Sequence, residues 1–314
     1  MPTYFTIPFV FQGERQYISY SIIVFCPVAG RLLEYAGGPE MRQPGTNWTK
    51  RMPDTCVNTK NCRYHALLCI SILIYAAALL ARLGKLLIDP SLVRDATLYL
   101  NWVNNWVETG DFYFLVLGKP PLVPPVSLWS IKTLVELTGV DAETAGRTLS
   151  LFLGSLVPVM GFFFALRFTR NIRIALLSAL LLIIHPRLVE FSVQPIRENW
   201  YMFFNAAFLF VLCEAVRKST LVKWAGCGVF LALSAFSRFE GMEFAPVAAL
   251  ILLLLYLFKK ISLKEMLLSG LAFGLGFGLT ALLVMWSVDF DYRFFSRIRL
   301  FTGWMLHLIQ PQQP

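Results

Sequence analysis

A regular series of long apolar segments constrains the fold of this chain more than any other feature. A helix that crosses a bilayer needs about 20 predominantly apolar residues, and the third and fifth segments have clean apolar cores shorter than that. We predict an all-α, polytopic membrane protein with about seven transmembrane helices. The seven apolar blocks lie near 64–88, 148–168, 172–193, 199–216, 221–237, 242–258 and 265–286.

The composition excludes the main alternatives to a membrane protein. Only 15% of the 314 residues are charged, while 57% are hydrophobic. A soluble domain carries about 25% charged residues, so a soluble globular enzyme is excluded. The 15% of aromatic residues is equally incompatible with a disordered chain.

The apolar pattern divides the chain into three predicted segments. We expect a poorly ordered, cytoplasmic N-terminal extension over 1–63, a transmembrane domain over 64–293, and an amphipathic tail over 294–314. One long loop, 89–147, separates the first two blocks. Its polar and aromatic pattern predicts a helix that lies along the membrane surface, formed around Leu98, Asn101, Trp102, Asn105 and Trp106.

The basic residues indicate the orientation of the chain. Its net charge of +9 is scattered between apolar blocks, which is typical of topology signals and not of a nucleic-acid-binding face. Nine basic residues fall in the short connections on one side and three on the other. We therefore predict a cytoplasmic N-terminus and an outward-facing long loop. The nine are Arg167, Arg170, Arg173, Arg217, Lys218, Lys223, Lys259, Lys260 and Lys264.

Ionisable residues from distant parts of the sequence fall on the predicted outer side. Asp95 follows the first block, Glu198 precedes the fourth, and Arg238 and Glu240 lie between the fifth and sixth. A charge at the centre of a membrane helix costs about 2.5–3.5 kcal/mol on insertion scales, so a gathered set usually marks a functional cavity.

Each of these residues also has a structural interpretation. Asp95 is either the N-cap of a helix or a carboxylate that accepts a proton from an acceptor group. Lys119 in its Pro-Pro turn is either solvated or a point charge for a phosphate. The Arg197–Glu198 and Arg238–Glu240 neighbours are either structural pairs or parts of a phosphate-binding site.

The ordered motifs resemble those of the GT-C integral-membrane glycosyltransferases. The similarity is to the branch of protein O-mannosyltransferases, the aminoarabinose transferase of lipid A and the rhizobial core-oligosaccharide transferases, over residues of about 64–260. The motifs lie at 94–100, 110–112, 119–122, 146–150, 185–189, 197–198 and 238–241.

This resemblance implies an inverting transferase that takes a sugar from a polyprenyl-phosphate donor. The acceptor would be a lipid, glycan or protein on the non-cytoplasmic face of a bacterial inner membrane. Asp95 and Glu198 would be catalytic. The residues implied in binding the donor phosphate or sugar are Lys119, Arg197, Arg238, Glu240, Tyr99 and His185.

Cofactors and alternative functions stay open at this point. No cluster of His and Cys at metal-ligand spacing occurs in the sequence, but two carboxylates and a phosphate would suffice to hold Mg²⁺ or Mn²⁺. The alternatives are a transporter or flippase for a polyprenyl-linked sugar and a truncated, non-catalytic relative. A transporter favours internal repeats, and the sequence shows none.

Overall fold

The computed structural model of the protein describes residues 60–110 and 125–287. These residues form ten α-helices and one 3₁₀ turn, with no strand among them. The predicted all-α class is confirmed for this part of the chain. The helices are α1 (Lys60–Ile88), α2 (Arg94–Thr109), α3 (Pro125–Thr138), α4 (Ala142–Thr169), α5 (Ile172–Ile184), α6 (Pro186–Ser192), α7 (Glu198–Arg217), α8 (Leu221–Ala235), α9 (Phe244–Leu257) and α10 (Leu263–Ser287), with the 3₁₀ turn Phe239–Glu243 before α9.

All seven predicted apolar blocks form helices, but the count of seven membrane spans is not confirmed. Among the described residues, five helices are long and apolar enough to cross a membrane, or six if one bent pair counts as a single span. The exceptions are the third and fifth blocks, whose apolar cores are the shortest. The five lie at His65–Ile88, Ala142–Thr169, Glu198–Arg217, Phe239–Leu257 and Leu263–Ser287.

The third block is broken by a proline. Helices α5 and α6 meet at an angle of 59°. Pro186 is the first residue of α6, and His185 before it has an extended backbone (φ −63°, ψ 116°). A residue that precedes proline avoids the helical region because the proline ring crowds its backbone. The bend is therefore a property of the local sequence.

The fifth block forms α8, a short helix that is enclosed by protein. Its 15 residues span about 22 Å, yet Trp224, Cys227 and Leu231 are fully buried. It packs against α10 through glycines on both helices. A Cβ on Gly228 would lie 2.6 Å from the Phe277 nitrogen, and one on Gly276 would lie 2.9 Å from the Ala225 carbonyl carbon. Only small residues allow two membrane helices to approach this closely.

One hydrophobic cluster organises the end of the helix set that carries the predicted site. The helix predicted within the long loop is present as α2, and its position along the membrane surface stays a prediction. The neighbours of α2 in this cluster include Ile131 of α3, Ala145 of α4, Trp200 of α7 and Val284 of α10. The residues that α2 buries recur every three or four positions, as on one helix face: Ala96, Tyr99, Leu100, Val103 and Trp106.

The opposite end of the helix set gathers basic side chains around Glu214. Arg167 from α4 forms an ion pair with this carboxylate, with one guanidinium nitrogen 3.1 Å from Oε2. Arg217 lies 3.5 Å and Lys223 3.8 Å from it. The ends of α4 and α7 and the start of α8 therefore meet at this end of the helix set. The sequence predicts that these three basic residues lie on the same side of the membrane.

The predicted segment boundaries are only partly within the described residues. Helix α1 begins at Lys60, four residues before the predicted start of the transmembrane domain at 64. The rest of the extension over 1–63 and the tail over 294–314 lie outside the described residues. Their predicted roles stay predictions.

Arg82 is an unusual residue within the first membrane-spanning helix. Its side chain is fully buried, and its Nη1 donates a hydrogen bond to the carbonyl of Ala78, at 2.9 Å. Its Nε and Nη2 have no hydrogen-bond partner among the described residues. A buried guanidinium without a carboxylate is a destabilising feature of this helix.

We predict that Arg82→Met raises the thermal unfolding midpoint of the purified protein in detergent. An unsatisfied buried polar group costs about 1–3 kcal/mol, and Met fills a similar volume without it. The control is Lys85→Met, because Lys85 is partly exposed and pairs with Asp89 at 2.7 Å. A lower midpoint for Arg82→Met would contradict this account and show that an anion stabilises the guanidinium.

Candidate active site

Two helix ends bring Glu198, Arg238 and Glu240 together, and Asp95 lies at the start of a third helix. Asp95 is the second residue of α2, and Glu198 is the first residue of α7. Arg238 follows α8, and Glu240 lies in the 3₁₀ turn after it. Charged groups at helix ends avoid the hydrocarbon interior while they remain close to one another.

Arg238 is the centre of this group because it binds two carboxylates. Its Nη1 donates a hydrogen bond to Oε1 of Glu198 at 2.7 Å. Its Nη2 and Nε donate to the two carboxylate oxygens of Glu240, at 2.9 Å and 3.3 Å. Paired contacts of this kind fix a guanidinium in both position and plane. The Arg238 guanidinium also lies over the ring of Tyr201, 5.7 Å from its centroid, within the range of a cation–π interaction.

The carboxylates keep Arg238 charged despite its burial. Burial by itself lowers the pKa of a guanidinium, but the hydrogen bonds and charges of Glu240 and the charge of Glu198 raise the pKa of Arg238 above its ordinary value. The side chain of Arg238 is 22% exposed and that of Glu198 is 21% exposed. The pair is therefore partly shielded from water but still open to a ligand.

Gly241 allows the turn that carries Glu240 to pack against α8. A Cβ at this position would lie 2.6 Å from the backbone nitrogen of Ala235 and 2.8 Å from the hydroxyl of Ser234. No larger residue fits without a shift of the backbone. The glycine of the predicted motif at 238–241 thus has a packing role that places Glu240 beside Arg238.

Arg197 is adjacent to this group and has unused donors. Its Nε lies 3.7 Å from Oε1 of Glu198, which is an ion pair but not a hydrogen bond. That Nε is buried and has no hydrogen-bond partner among the described residues. The two carboxylates use three of the five N–H groups of Arg238, whereas the Arg197 guanidinium makes no hydrogen bond within the described residues and keeps its donors for an incoming anion.

Tyr99 joins Asp95 to the same group. Its ring is buried, and burial raises the pKa of its hydroxyl to about 12. Smaller effects come from charged side chains: Arg197 and Arg238 lower the pKa of this hydroxyl, and Glu198 and Asp95 raise it. The ring of Tyr99 packs in the hydrophobic cluster that also contains Trp200 of α7 and Phe236, two residues before Arg238.

Asp95 is available for chemistry because it does not cap its helix. The N-cap of α2 is Val93, and no side chain forms a capping bond there. The carboxylate is exposed, with no hydrogen bond or ion pair in the part of the chain that the structure describes. The capping interpretation of Asp95 is therefore wrong.

Two predicted residues are not joined to this group by any described contact. His185 is exposed and caps α6, because its Nδ1 accepts a hydrogen bond from the backbone nitrogen of Leu188 at 3.4 Å. This contact explains the histidine without a ligand. Lys119 lies outside the described residues, so its predicted role at the donor phosphate stays a prediction.

Sequence reasoning missed several polar residues that hold the site together. Gln194 and Asn199 are buried beside the start of α7, and Arg147 is buried on α4. Tyr201 lies under Arg238. A usable signal for Tyr201 is its spacing of three from Glu198, which places both on one helix face. For Arg147, Gln194 and Asn199, the usable signal is that each is a polar residue next to an apolar block.

Comparison with known proteins identifies the family. A family model described as dolichyl-phosphate-mannose-protein mannosyltransferase matches residues 122–286, more than half of the chain. The chain belongs to this family. It is therefore an integral-membrane glycosyltransferase of the GT-C kind. No curated protein and no solved structure matches the chain.

The family match covers part of the candidate site. It includes Glu198, Arg238 and Glu240 but starts after Asp95 and Tyr99. The link between the two parts is the hydrophobic cluster that holds Tyr99 of α2 together with Trp200 of α7 and Phe236. The α2 helix is thus part of the site through tertiary structure.

We predict that Arg238→Ala destabilises the protein by about 1–3 kcal/mol. The substitution leaves the carboxylates of Glu198 and Glu240 close together without their shared cation. The measurement is the thermal midpoint in detergent. The matched control is Arg187→Ala, because Arg187 is 70% exposed in its pair with Glu190 and an exposed pair contributes about 0–1 kcal/mol. Equal midpoints for the two variants would contradict the proposed importance of the shared cation.

Proposed function

We propose that the protein transfers a sugar from a polyprenyl-phosphate donor to an acceptor on the non-cytoplasmic face of the membrane. The acceptor is a lipid, a glycan or a protein with a nucleophilic hydroxyl or amine. The observation that carries this proposal is the group formed by Glu198, Arg238 and Arg197, with the helix of Asp95, α2, packed in the same hydrophobic cluster as the start of α7. It combines the Asp95 carboxylate at the start of α2 with the Arg197 guanidinium at the start of α7.

The charge distribution supports the choice of face. The site occupies one end of the helix set, and the cluster of Arg167, Arg217 and Lys223 around Glu214 occupies the other. Basic residues in short loops favour the cytoplasmic side. Nucleotide sugars are cytosolic, so a site at the opposite end requires a sugar carried by a lipid.

The proposed reaction is an inverting displacement at the anomeric carbon. The Asp95 carboxylate accepts the proton from the acceptor hydroxyl or amine. The acceptor atom forms a bond to the anomeric carbon as the bond from that carbon to the phosphate oxygen breaks. The bonding electrons leave with the polyprenyl phosphate, and the Arg197 guanidinium stabilises the negative charge that develops there.

Glu198 and Arg238 have a supporting role in this scheme. Arg238 contributes positive charge near the leaving phosphate, and Glu198 and Glu240 hold its plane. Glu198 retains one carboxylate oxygen, Oε2, for a sugar hydroxyl. Binding of Mg²⁺ or Mn²⁺ by these carboxylates is a further hypothesis, and comparison of transfer with and without EDTA tests it.

We predict that Asp95→Asn lowers the kcat of sugar transfer by at least about 100-fold, because a general base typically contributes 10²–10⁴-fold. Glu198→Gln also lowers kcat, since it removes one of the two charges that hold Arg238. The assay uses the full chain in lipid nanodiscs and a panel of radiolabelled polyprenyl-phosphate sugars, with mannose first. Solubilised membranes supply the acceptor. The measurement is the release of polyprenyl phosphate on transfer of the sugar.

The matched control for both acids is Glu190→Gln. Glu190 is 43% exposed and pairs only with Arg187 in the described chain, so its substitution leaves transfer within about twofold. Full activity of the Asp95→Asn protein would refute the proposed base. A wild-type protein that moves the lipid-linked sugar across the bilayer without bond cleavage would favour the transporter alternative.

We predict that Arg197→Ala lowers kcat/KM for the donor by about 10–100-fold. A hydrogen bond to a charged group contributes about 1.5–3 kcal/mol, and every 1.4 kcal/mol corresponds to a factor of ten. Arg197→Lys recovers part of the loss because it retains the charge. Unchanged kcat/KM in Arg197→Ala would exclude this residue from phosphate binding, and Arg187→Ala is the control for a lost surface charge.

A further inference from the structure

Two short connections precede the two proposed catalytic acids. Residues 89–93 lead into α2 and Asp95, and residues 193–197 lead into α7 and Glu198. These connections are about 100 positions apart in the sequence. They are nevertheless joined by hydrogen bonds from two buried side chains, Arg147 and Gln194, which we call the clasp.

Arg147 extends from α4 and contacts both connections. Its Nη2 donates a hydrogen bond to the carbonyl of Pro90 at 2.5 Å, and its Nη1 donates to the carbonyl of Val193 at 3.2 Å. Its Nε donates to Oε1 of Glu143 at 2.8 Å. One guanidinium therefore binds a backbone carbonyl from each of the two connections.

Gln194 bonds the second connection directly to the first. Its Oε1 accepts a hydrogen bond from the backbone nitrogen of Val93 at 3.1 Å, and its Nε2 donates to the carbonyl of Ser91 at 2.8 Å. The side chain is 5% exposed. Both hydrogen-bond partners of the amide lie in the first connection. The side chain therefore fixes the path of that connection as well as its distance from Gln194.

The second connection is itself held firmly. The Nδ2 of Asn199 donates to the carbonyls of Phe191 at 2.8 Å and Gln194 at 3.0 Å. Pro195 packs on Gly146, where a Cβ would lie 2.7 Å from the proline Cβ. The position of Gln194 is thus determined by α4 and by the start of α7.

We propose that Arg147 and Gln194 are positioning residues that set the separation between Asp95 and Glu198. This inference rests on the proposed function for its kinetic consequence. Val93 is the N-cap of α2, two residues before Asp95, and Gln194 lies four residues before Glu198. A displacement of about 1 Å in a catalytic group is enough to lower a rate about 100-fold. Hydrogen bonds this close to both acids therefore affect the rate, although Arg147 and Gln194 do not contact the substrate.

The test compares Gln194→Leu and Arg147→Lys with the wild-type full chain in nanodiscs. We expect Gln194→Leu to lower kcat at least 10-fold while KM for the donor changes less than 3-fold, because Arg197 and Arg238 keep their contacts with Glu198. Arg147→Lys retains the charge but not the two-carbonyl bridge, so it lowers kcat as well. The thermal midpoint of each variant is recorded, and comparison is made only well below it.

The matched control is Glu143→Gln. Glu143 is 48% exposed, and its substitution weakens the outward contact of Arg147 while the bonds to Pro90 and Val193 remain. We expect unchanged kcat. A loss as large as that of Arg147→Lys would overturn the proposal, since the effect would then come from the ion pair and not from the joined connections.

Hydrogen–deuterium exchange provides a readout that does not depend on activity. The amide of Val93 is the donor to Gln194, so exchange in the peptide over 91–97 should accelerate in Gln194→Leu and stay unchanged in Glu143→Gln. Unchanged exchange in Gln194→Leu would overturn the clasp, as would faster exchange with wild-type kcat. If the wild type transfers no sugar from any donor, the proposed function fails, and the exchange result alone decides whether the clasp joins the connections.

Discussion

The ion pair between Glu198 and Arg238 is the interaction on which the site depends. It joins the start of α7 to the turn after α8, across 40 positions of sequence. Glu240 closes the other side of the guanidinium, so the two helix ends and the 3₁₀ turn form one unit. Arg197 lies beside Glu198, and Tyr99 joins the α2 helix to this unit through the hydrophobic cluster with Trp200 and Phe236.

A membrane environment explains why the site is built from helix ends. Backbone and charged groups cannot remain unsatisfied in hydrocarbon, so the polar residues that perform chemistry collect where helices start and stop. Tight helix packing supports this arrangement. Gly228 and Gly276 let α8 and α10 approach, and neighbouring helices enclose the short α8. Its end lies where Arg238 meets Glu198.

Several features were predictable from the sequence because they depend on local physics. Apolar blocks of about 20 residues predict helices, and each of the seven blocks is helical. Pro186 predicts a break, and the chain bends there by 59°. The number of spans was less predictable. The 15 residues of α8 are apolar but too few for the length of a membrane span, and several of them are buried among other helices.

The sequence by itself determined the class of the protein, the apolar helices, the alternation of charged loops and the residue types of the site. It could not decide between a capping and a free Asp95, because both are compatible with an acid near a helix start. Only the three-dimensional structure shows that Val93 is the N-cap of α2 and that His185 caps α6, and only the packing of the helices brought Arg147 and Gln194 to both connections. Hydrophobic periodicity specifies which face of a helix is buried, whereas a hydrogen bond between residues 100 positions apart depends on how the helices pack.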